Sequence, residues 1–283
     1  MTTKGRLTWV APAVLVLLLL SIYPLLYSIR VSFQNSNGGA VTLANYLRLF
    51  HDRLFAVALW QTVVYVSVAL SIELVLGLAL ALLVDSLPAG KGLFRAGLLA
   101  PMLLPPVVVA VIWRLIFNPQ FGVLNGMLRN FGFDTSHLTW SSGEQSALPS
   151  VIAVDVWEWT PFMFLLISAG LQAIPQEPIE AAQVDGASSW RIFRDMILPL
   201  LKPTLFLAIL LRTMDLVRIF DQIWILTQGG PGSATETVSL YIYRTAFRFF
   251  NFGYAAAMSF LGLFLAGLFA RTLFRMMKIG ARA

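Results

Sequence analysis

The chain has 283 residues, a net charge of +6, no cysteine and two histidines; 58% of its residues are hydrophobic and 12% are charged. Soluble domains carry roughly 45–50% apolar and ~25% charged residues, so the composition excludes a disordered chain, a disulfide scaffold and a cysteine-based metal site. A soluble protein of this composition would expose too much apolar surface, and the chain reads as an integral membrane protein.

Crossing the hydrocarbon core takes ~20 mostly apolar residues. Leu7 to Ile29 is an uncharged run. It is longer than the 7–15-residue core of a signal peptide and more spans follow, so it reads as a retained helix. Leu54 to Val84 is a second apolar run, broken only by Glu73. Ala96 to Trp113 is a third, interrupted by Pro101, Pro105 and Pro106, which predict a fixed kink or a hinge. A fourth runs from Pro149 to Gln176, a fifth from Pro203 to Leu226, and a sixth from Phe249 to Ala270. The expectation is an all-α polytopic protein with six transmembrane helices. One set of flanks, 1–6, 85–95, 172–203 and 271–283, holds eleven Lys and Arg; the opposite set, 34–56, 118–149 and 228–248, holds five. The positive-inside rule then puts both termini and the long loop 172–203 in the cytoplasm.

Charges at membrane depth are costly, ~2.5–3.5 kcal/mol each on insertion scales, and must face protein or water. The second span carries Glu73, for which a structural ion pair is expected. The fourth carries Asp155, Trp157, Glu158 and Trp159, followed by Pro161, which frees the Trp157 carbonyl or kinks the helix. In the fifth, Arg212, Asp215, Arg218 and Asp221 alternate in sign at every third residue, so they could be neutralised as an i, i+3 ladder within one helix or as a salt-bridge ladder between helices. Such charges either form salt bridges or line a polar pathway, and both readings stand.

The loop 172–203 breaks locally into two short helices. Pro178 suits a first turn, Gly186 a left-handed cap, and Ser188 or Ser189 an N-cap. Trp190, Phe193 and Ile197 then form one apolar stripe, and Arg191 and Asp195 pair at i, i+4. A cytoplasmic apolar stripe is buried either against the chain's own helix ends or by a soluble partner. Glu180-Ala181-Ala182, Gly186 four residues on, and Leu198-Pro199 have the spacing of the EAA loop, with Met196 in place of the usual Ile. Gln172-Ala173-Ile174-Pro175, Asp185-Gly186-Ala187 and Leu226-Thr227-Gln228-Gly229-Gly230-Pro231 match its carbohydrate-uptake branch. On these motifs the chain resembles the permease subunits of binding-protein-dependent sugar ABC transporters, of the maltose and trehalose type, over essentially residues 10–275.

The resemblance implies a type I ABC importer permease fold: an N-terminal helix and outer loop over 1–57, the transmembrane domain over 58–276 and a tail over 277–283. It implies location in the bacterial cytoplasmic (inner) membrane, among membrane lipid. It implies a second homologous permease, an ATP-binding subunit dimer that uses Mg-ATP, and an extracytoplasmic sugar-binding protein as partners. Nucleic acid is not among them, and this chain is expected to hold no cofactor, no metal and no catalytic residue. Glu180, Ala181, Ala182, Asp185, Gly186, Trp190 and Phe193 would then couple to the ATPase. Asp155, Trp157, Glu158, Trp159, Asp215, Asp221 and Gln222 form the candidate sugar pathway, since carboxylates accept hydroxyl hydrogen bonds and an indole packs on a sugar's C–H face. Gly229, Gly230, Pro231 and Gly232, an irregular stretch on the Lys/Arg-poor side, would either be a plain connector or, as the resemblance implies, meet the binding protein. No G-x-x-x-x-G-K-[ST] phosphate loop occurs, so hydrolysis would fall to another polypeptide. The runner-up is an ion-coupled secondary transporter using the buried carboxylates.

Overall fold

The computed structural model describes residues 3–34 and 41–280. In chain order its helices are α1 (Thr3–Ser32), α2 (Ala44–Leu49), α3 (Arg53–Ser86), α4 (Lys91–Leu99), α5 (Pro106–Ile116), α6 (Val123–Asn130), α7 (Ala147–Gln172), α8 (Glu177–Val184), α9 (Ser189–Ile192), α10 (Leu198–Leu216), α11 (Asp221–Leu226), α12 (Val238–Tyr243) and α13 (Phe252–Gly280). Five stretches are long and apolar enough to cross a membrane: 10–32, 53–86, 147–172, 189–216 and 252–272.

Two of the six expected spans are not continuous helices. The third breaks where prolines remove donors and restrict their neighbours. α4 ends at Leu99, Pro101–Leu103 forms one 3₁₀ turn, and Leu104 and Pro105 are extended (ψ 140° and 137°) ahead of Pro106. A residue before proline is driven out of the helical region, so the helix restarts only at Pro106, and α5 has 11 residues. The fifth starts earlier, at Ser189, because α9, a π-helical segment over Phe193–Ile197 and α10 follow one another without a gap, so the second short helix expected in the loop is part of the span; it stops at Leu216 without a proline or glycine at that end. Arg218 turns its Nε onto the Met214 carbonyl (3.0 Å), the Val217 carbonyl accepts the Ser239 hydroxyl (3.1 Å), and Phe220 leaves helical geometry (φ −139°, ψ −55°). Side chains thus satisfy carbonyls that the next helical turn would have used. α11 restarts with Asp221 in its first turn, where a carboxylate suits the positive helix end. At the C-terminus α13 continues to Gly280, so 277–280 of the expected tail are helical; 281–283 lie outside the described residues.

The chain divides into two compact units, 1–55 with 241–265, and 56–240 with 266–283. Asp52 is the polar knot of the first. One carboxylate oxygen caps α3 by accepting the N–H groups of Leu54 (2.9 Å) and Phe55 (3.1 Å). The other accepts the hydroxyls of Tyr241 (2.7 Å) and Tyr254 (2.6 Å), and the Arg48 guanidinium lies 4.2 Å over the Tyr254 ring. Burial opposes ionisation of Asp52, but these four donors outweigh it and hold its pKa below the usual carboxylate value.

The second unit is built around α7, whose apolar stretch is 61% enclosed against at most 22% for the other four. Ala81 and Val84 of α3, Phe164, Ile167 and Leu171 of α7, and Leu201 of α10 share one core cluster. Glycine permits the close crossings. A methyl at Gly77 would sit 2.7 Å from the Met163 Cβ, and one at Gly170 2.7 Å from the Thr204 side chain. Small residues at such contacts let membrane helices approach.

Candidate functional site

In the loop 172–203, Pro178 stands in the first turn of α8, and the helix closes on a Schellman motif. Ala187 N–H reaches the Ala182 carbonyl (2.9 Å) and Gly186 N–H the Gln183 carbonyl (3.1 Å), with Gly186 at φ +80°. Ser188, one of the two expected caps, accepts the Arg191 N–H. The motif is therefore a rigid helix-turn-helix rather than a slack connector. Glu180, Ala181, Asp185 and Gly186 are exposed, Ala182 is half-buried, and no side chain of α8 is buried. The apolar stripe divides: Phe193 and Ile197 are half-buried, and Trp190 stands 68% exposed beside the Phe193 ring, while Ile192, outside the expected stripe, is buried. Val184 is 88% exposed. The expected Arg191–Asp195 pair forms at 3.8 Å on the surface.

The charges at depth converge on Arg212. Its Nε and Nη2 take both oxygens of Glu73 (2.7 and 2.9 Å), Nη2 also donates to Asp155 (2.5 Å), and Nη1 donates to Asp215 (2.8 Å). Glu73 and Asp155 have no exposed side-chain surface and Arg212 only 2%. The guanidinium also lies 5.0 Å over the Trp159 ring. Bidentate pairing of this kind is the geometry for which arginine is suited. Of the two expected arrangements, a ladder within one helix or one between helices, the structure forms mainly the second, and the ion pair expected for Glu73 is present. Arg212–Asp215 and the looser Arg218–Asp215 contact (3.8 Å) exist, but Asp221 stands beyond the helix break, and the strongest partners of Arg212 come from α3 and α7. The Glu73–Arg212 pair spans 139 residues and no local spacing signals it.

Beside this cluster lies a cavity of about 270 Å³ that brings together Asp155, Trp159, Asp215, Asp221 and Gln222 of the candidate pathway set, with Pro106 at the start of α5. Glu158 is buried outside the lining and accepts the Gln222 amide (2.5 Å). Trp157 instead lines an apolar groove of about 760 Å³ between α3 and α7 and packs edge-on against Trp113. Of the other expected set, Gly229 is buried, Gly230 and Pro231 are half-buried, and Gly232 (φ +59°) is exposed. Thr235 ties this loop shut through Thr227 (2.7 Å) and the Gly230 carbonyl (3.0 Å).

Long apolar helices that meet at a buried ion cluster define a membrane protein. Residues 73–278 match the family of "Binding-protein-dependent transport system inner membrane component", and the chain belongs to that family: it is a non-catalytic, multi-pass permease subunit of an ABC importer. It is 43% identical over 213 residues to the trehalose/maltose transport system permease protein MalF of Thermococcus litoralis, covering 75% of this chain and 70% of the relative. It is 38% identical over 258 residues to the trehalose transport system permease protein SugA of Mycobacterium tuberculosis, covering 89% and 81%. Its fold is similar to a chain in the crystal structure of a bacterial alginate ABC transporter in complex with alginate pentasaccharide-bound periplasmic protein, with TM-score 0.85, 22% identity and coverage of 96% and 94%.

Proposed function

We propose that this chain is the sugar-conducting permease of an ATP-driven importer in the bacterial inner membrane. It lines half of a pathway with a second permease and drives it through loop 172–203. The names of its relatives support a trehalose- or maltose-like substrate. Six crossings with both termini in the cytoplasm follow if α4, the proline turn and α5 cross together. Two helices of 9 and 11 residues reach roughly 30 Å together, before the linker is added. The cavity beside Arg212 is the section of the pathway that meets the solute, and the Gly229 to Gly232 loop meets the extracytoplasmic binding protein through its exposed Gly232. Membership of this family weighs against the ion-coupled alternative.

The observation that carries the coupling role is the pre-formed, outward-facing helix-turn-helix at Glu180-Ala181-Ala182 and Gly186. A bare Glu, two small alanines and a left-handed glycine suit seating in a cleft of a soluble ATPase. Gly186→Val would force a β-branched residue to φ +80°. Sugar uptake should collapse while the chain still inserts and assembles, and sugar-stimulated ATPase activity should fall with it. Wild-type stimulated ATPase in the reconstituted variant complex would remove the coupling role.

A further inference from the structure

α3, α4 and α7 border a second space, the apolar groove of about 760 Å³ that Trp157 lines. It follows α3 from Val64 to Leu80, a rise of roughly 24 Å at ~1.5 Å per residue, against ~30 Å for the hydrocarbon core. Val68, Ile72 and Leu76 stay 40–42% exposed along it. The side chains that line it are apolar apart from the Thr160 hydroxyl and the Trp157 indole nitrogen. Gly97 of α4 lines one end, and a methyl there would meet nothing within 4 Å, so the space is open where α4 borders it.

That end carries a cation. Leu98 lines the groove, and Arg95, three residues earlier on α4, shares its helix face. Side chains lean toward the start of their helix, so the Arg95 stem leads out of the groove toward the Lys91 end of α4. Arg95 is half-buried and has no hydrogen bond or ion pair among the described residues. Its Nε is enclosed, which leaves the Nη groups as the donors within reach of a ligand. The nearby acid is already answered: the Lys91 Nζ donates to the Asp85 carbonyl (2.5 Å) and lies 3.9 Å from the Asp85 carboxylate. One surplus cation therefore stands at the end of a membrane-deep apolar furrow. An acyl chain with an anionic headgroup answers both features, whereas a second protein helix laid in the furrow would leave the charge unanswered.

We propose that this groove holds an anionic phospholipid, with an acyl chain along α3 between α4 and α7 and the phosphate at Arg95. The leaflet rests on the topology proposed above: with α4 on the cytoplasmic side, the lipid belongs to the inner leaflet. A guanidinium suits this role because it presents parallel N–H donors that match phosphate oxygens. The furrow accepts any acyl chain, and Arg95 makes the choice among headgroups.

The test uses the full transporter complex in phosphatidylcholine nanodiscs with a trace of photoactivatable lipid. The lipid carries a diazirine in its acyl chain and either a phosphatidylglycerol or a phosphatidylcholine headgroup, and crosslinks are mapped by peptide mass spectrometry. Peptides holding 64–80 and 97–101 should take the phosphatidylglycerol probe about fivefold more than the other, each normalised to the whole complex, as one cation near a lipid surface would give. Arg95→Gln should bring the two probes level. Gly97→Leu, which fills the open end at a position without a left-handed φ, should lower crosslinking by both. Equal labelling by the two probes in the wild-type chain would overturn the anionic site. A preference that survives Arg95→Gln would overturn the role of Arg95. Crosslinks elsewhere on the chain with none in the groove would show that protein covers it, and would remove the lipid. The leaflet is tested separately. In a chain without native cysteine, the exposed Gly92 changed to cysteine (Gly92→Cys) should react with a membrane-impermeant maleimide from the cytoplasmic side alone. Reaction from the outside would overturn the leaflet and the topology, while the probe contrast continues to judge the site.

Discussion

The Arg212 cluster and the loop 172–203 handle charge in opposite ways. In the cluster the Glu73, Asp155 and Arg212 side chains of α3, α7 and α10 pair with one another and have almost no solvent exposure, with Asp215 at its half-exposed edge. In the loop the backbone is fully tied by caps and a Schellman turn, while Glu180, Asp185, Trp190 and Val184 stand exposed. Inward satisfaction marks a part that holds the molecule together. Local rigidity with outward side chains marks a part made for another molecule. The contrast predicts that substitutions in the cluster act on stability and those in the loop on function.

The sharpest way to break the comparison is Arg212→Met. It strands Glu73 and Asp155 in a dry site, and loss of one partner of a buried pair costs about 3–5 kcal/mol. The melting temperature of the solubilised protein should fall steeply. A triple change that also makes Glu73→Gln and Asp155→Asn should recover part of the loss, because the residues act as a unit. A stable Arg212→Met protein with normal melting would show that the cluster is not structural.

A smaller effect is expected at Asp52, a polar knot outside the spans. Its folded pKa lies below the ordinary value, so its contribution is present at pH above the unfolded carboxylate pKa, ~3.9. It is lost as pH falls through the lowered folded pKa. Asp52→Asn should destabilise the protein by about 1–2 kcal/mol at pH 7 through the weakened cap and tyrosine bonds. That gap should narrow toward pH 3, checked by thermal unfolding across pH. A gap that stays constant with pH would mean that the carboxylate charge contributes nothing.

The smallest effects belong to the loop. Glu180→Ala and Arg191→Ala touch exposed groups, and the Arg191–Asp195 pair is a surface contact at 3.8 Å. Each should change stability by less than about 0.5 kcal/mol. Of the two, only Glu180→Ala should lower uptake. A melting shift as large as that of Asp52→Asn would place Glu180 in the structure rather than at an interface.

The same contrast explains what was legible in the sequence. The loop depends on neighbours in sequence: Pro178 in a first turn, Gly186 at a cap, Ser188 at an N-cap. Each is a local rule, and each position agrees with the structure. The Arg212 cluster depends on Glu73, 139 residues away. The spacing left open a ladder within one helix or between helices, and it could not name the partners from α3 and α7. Long apolar runs fixed four spans closely. The third and fifth failed as single helices for different reasons. Prolines broke the third, as their positions allowed. The fifth broke at Val217 to Phe220, where freed carbonyls are taken by Arg218 and Ser239, an event no local pattern announces. Tyr241 turns inward to Asp52, while Phe247 and Phe249 close by in sequence are exposed, a division that no local pattern marks.

The central claim is that α8 and the turn after it are a docking surface. Val184, 88% exposed on that helix, tests it most directly. In a chain without native cysteine, Val184→Cys gives one thiol for a maleimide probe. The account predicts rapid labelling in the separated permease and at least about tenfold slower labelling once the ATP-binding subunits are assembled on it, because the thiol would be desolvated at the contact. Equally fast labelling in an assembled, ATP-hydrolysing complex would contradict the account.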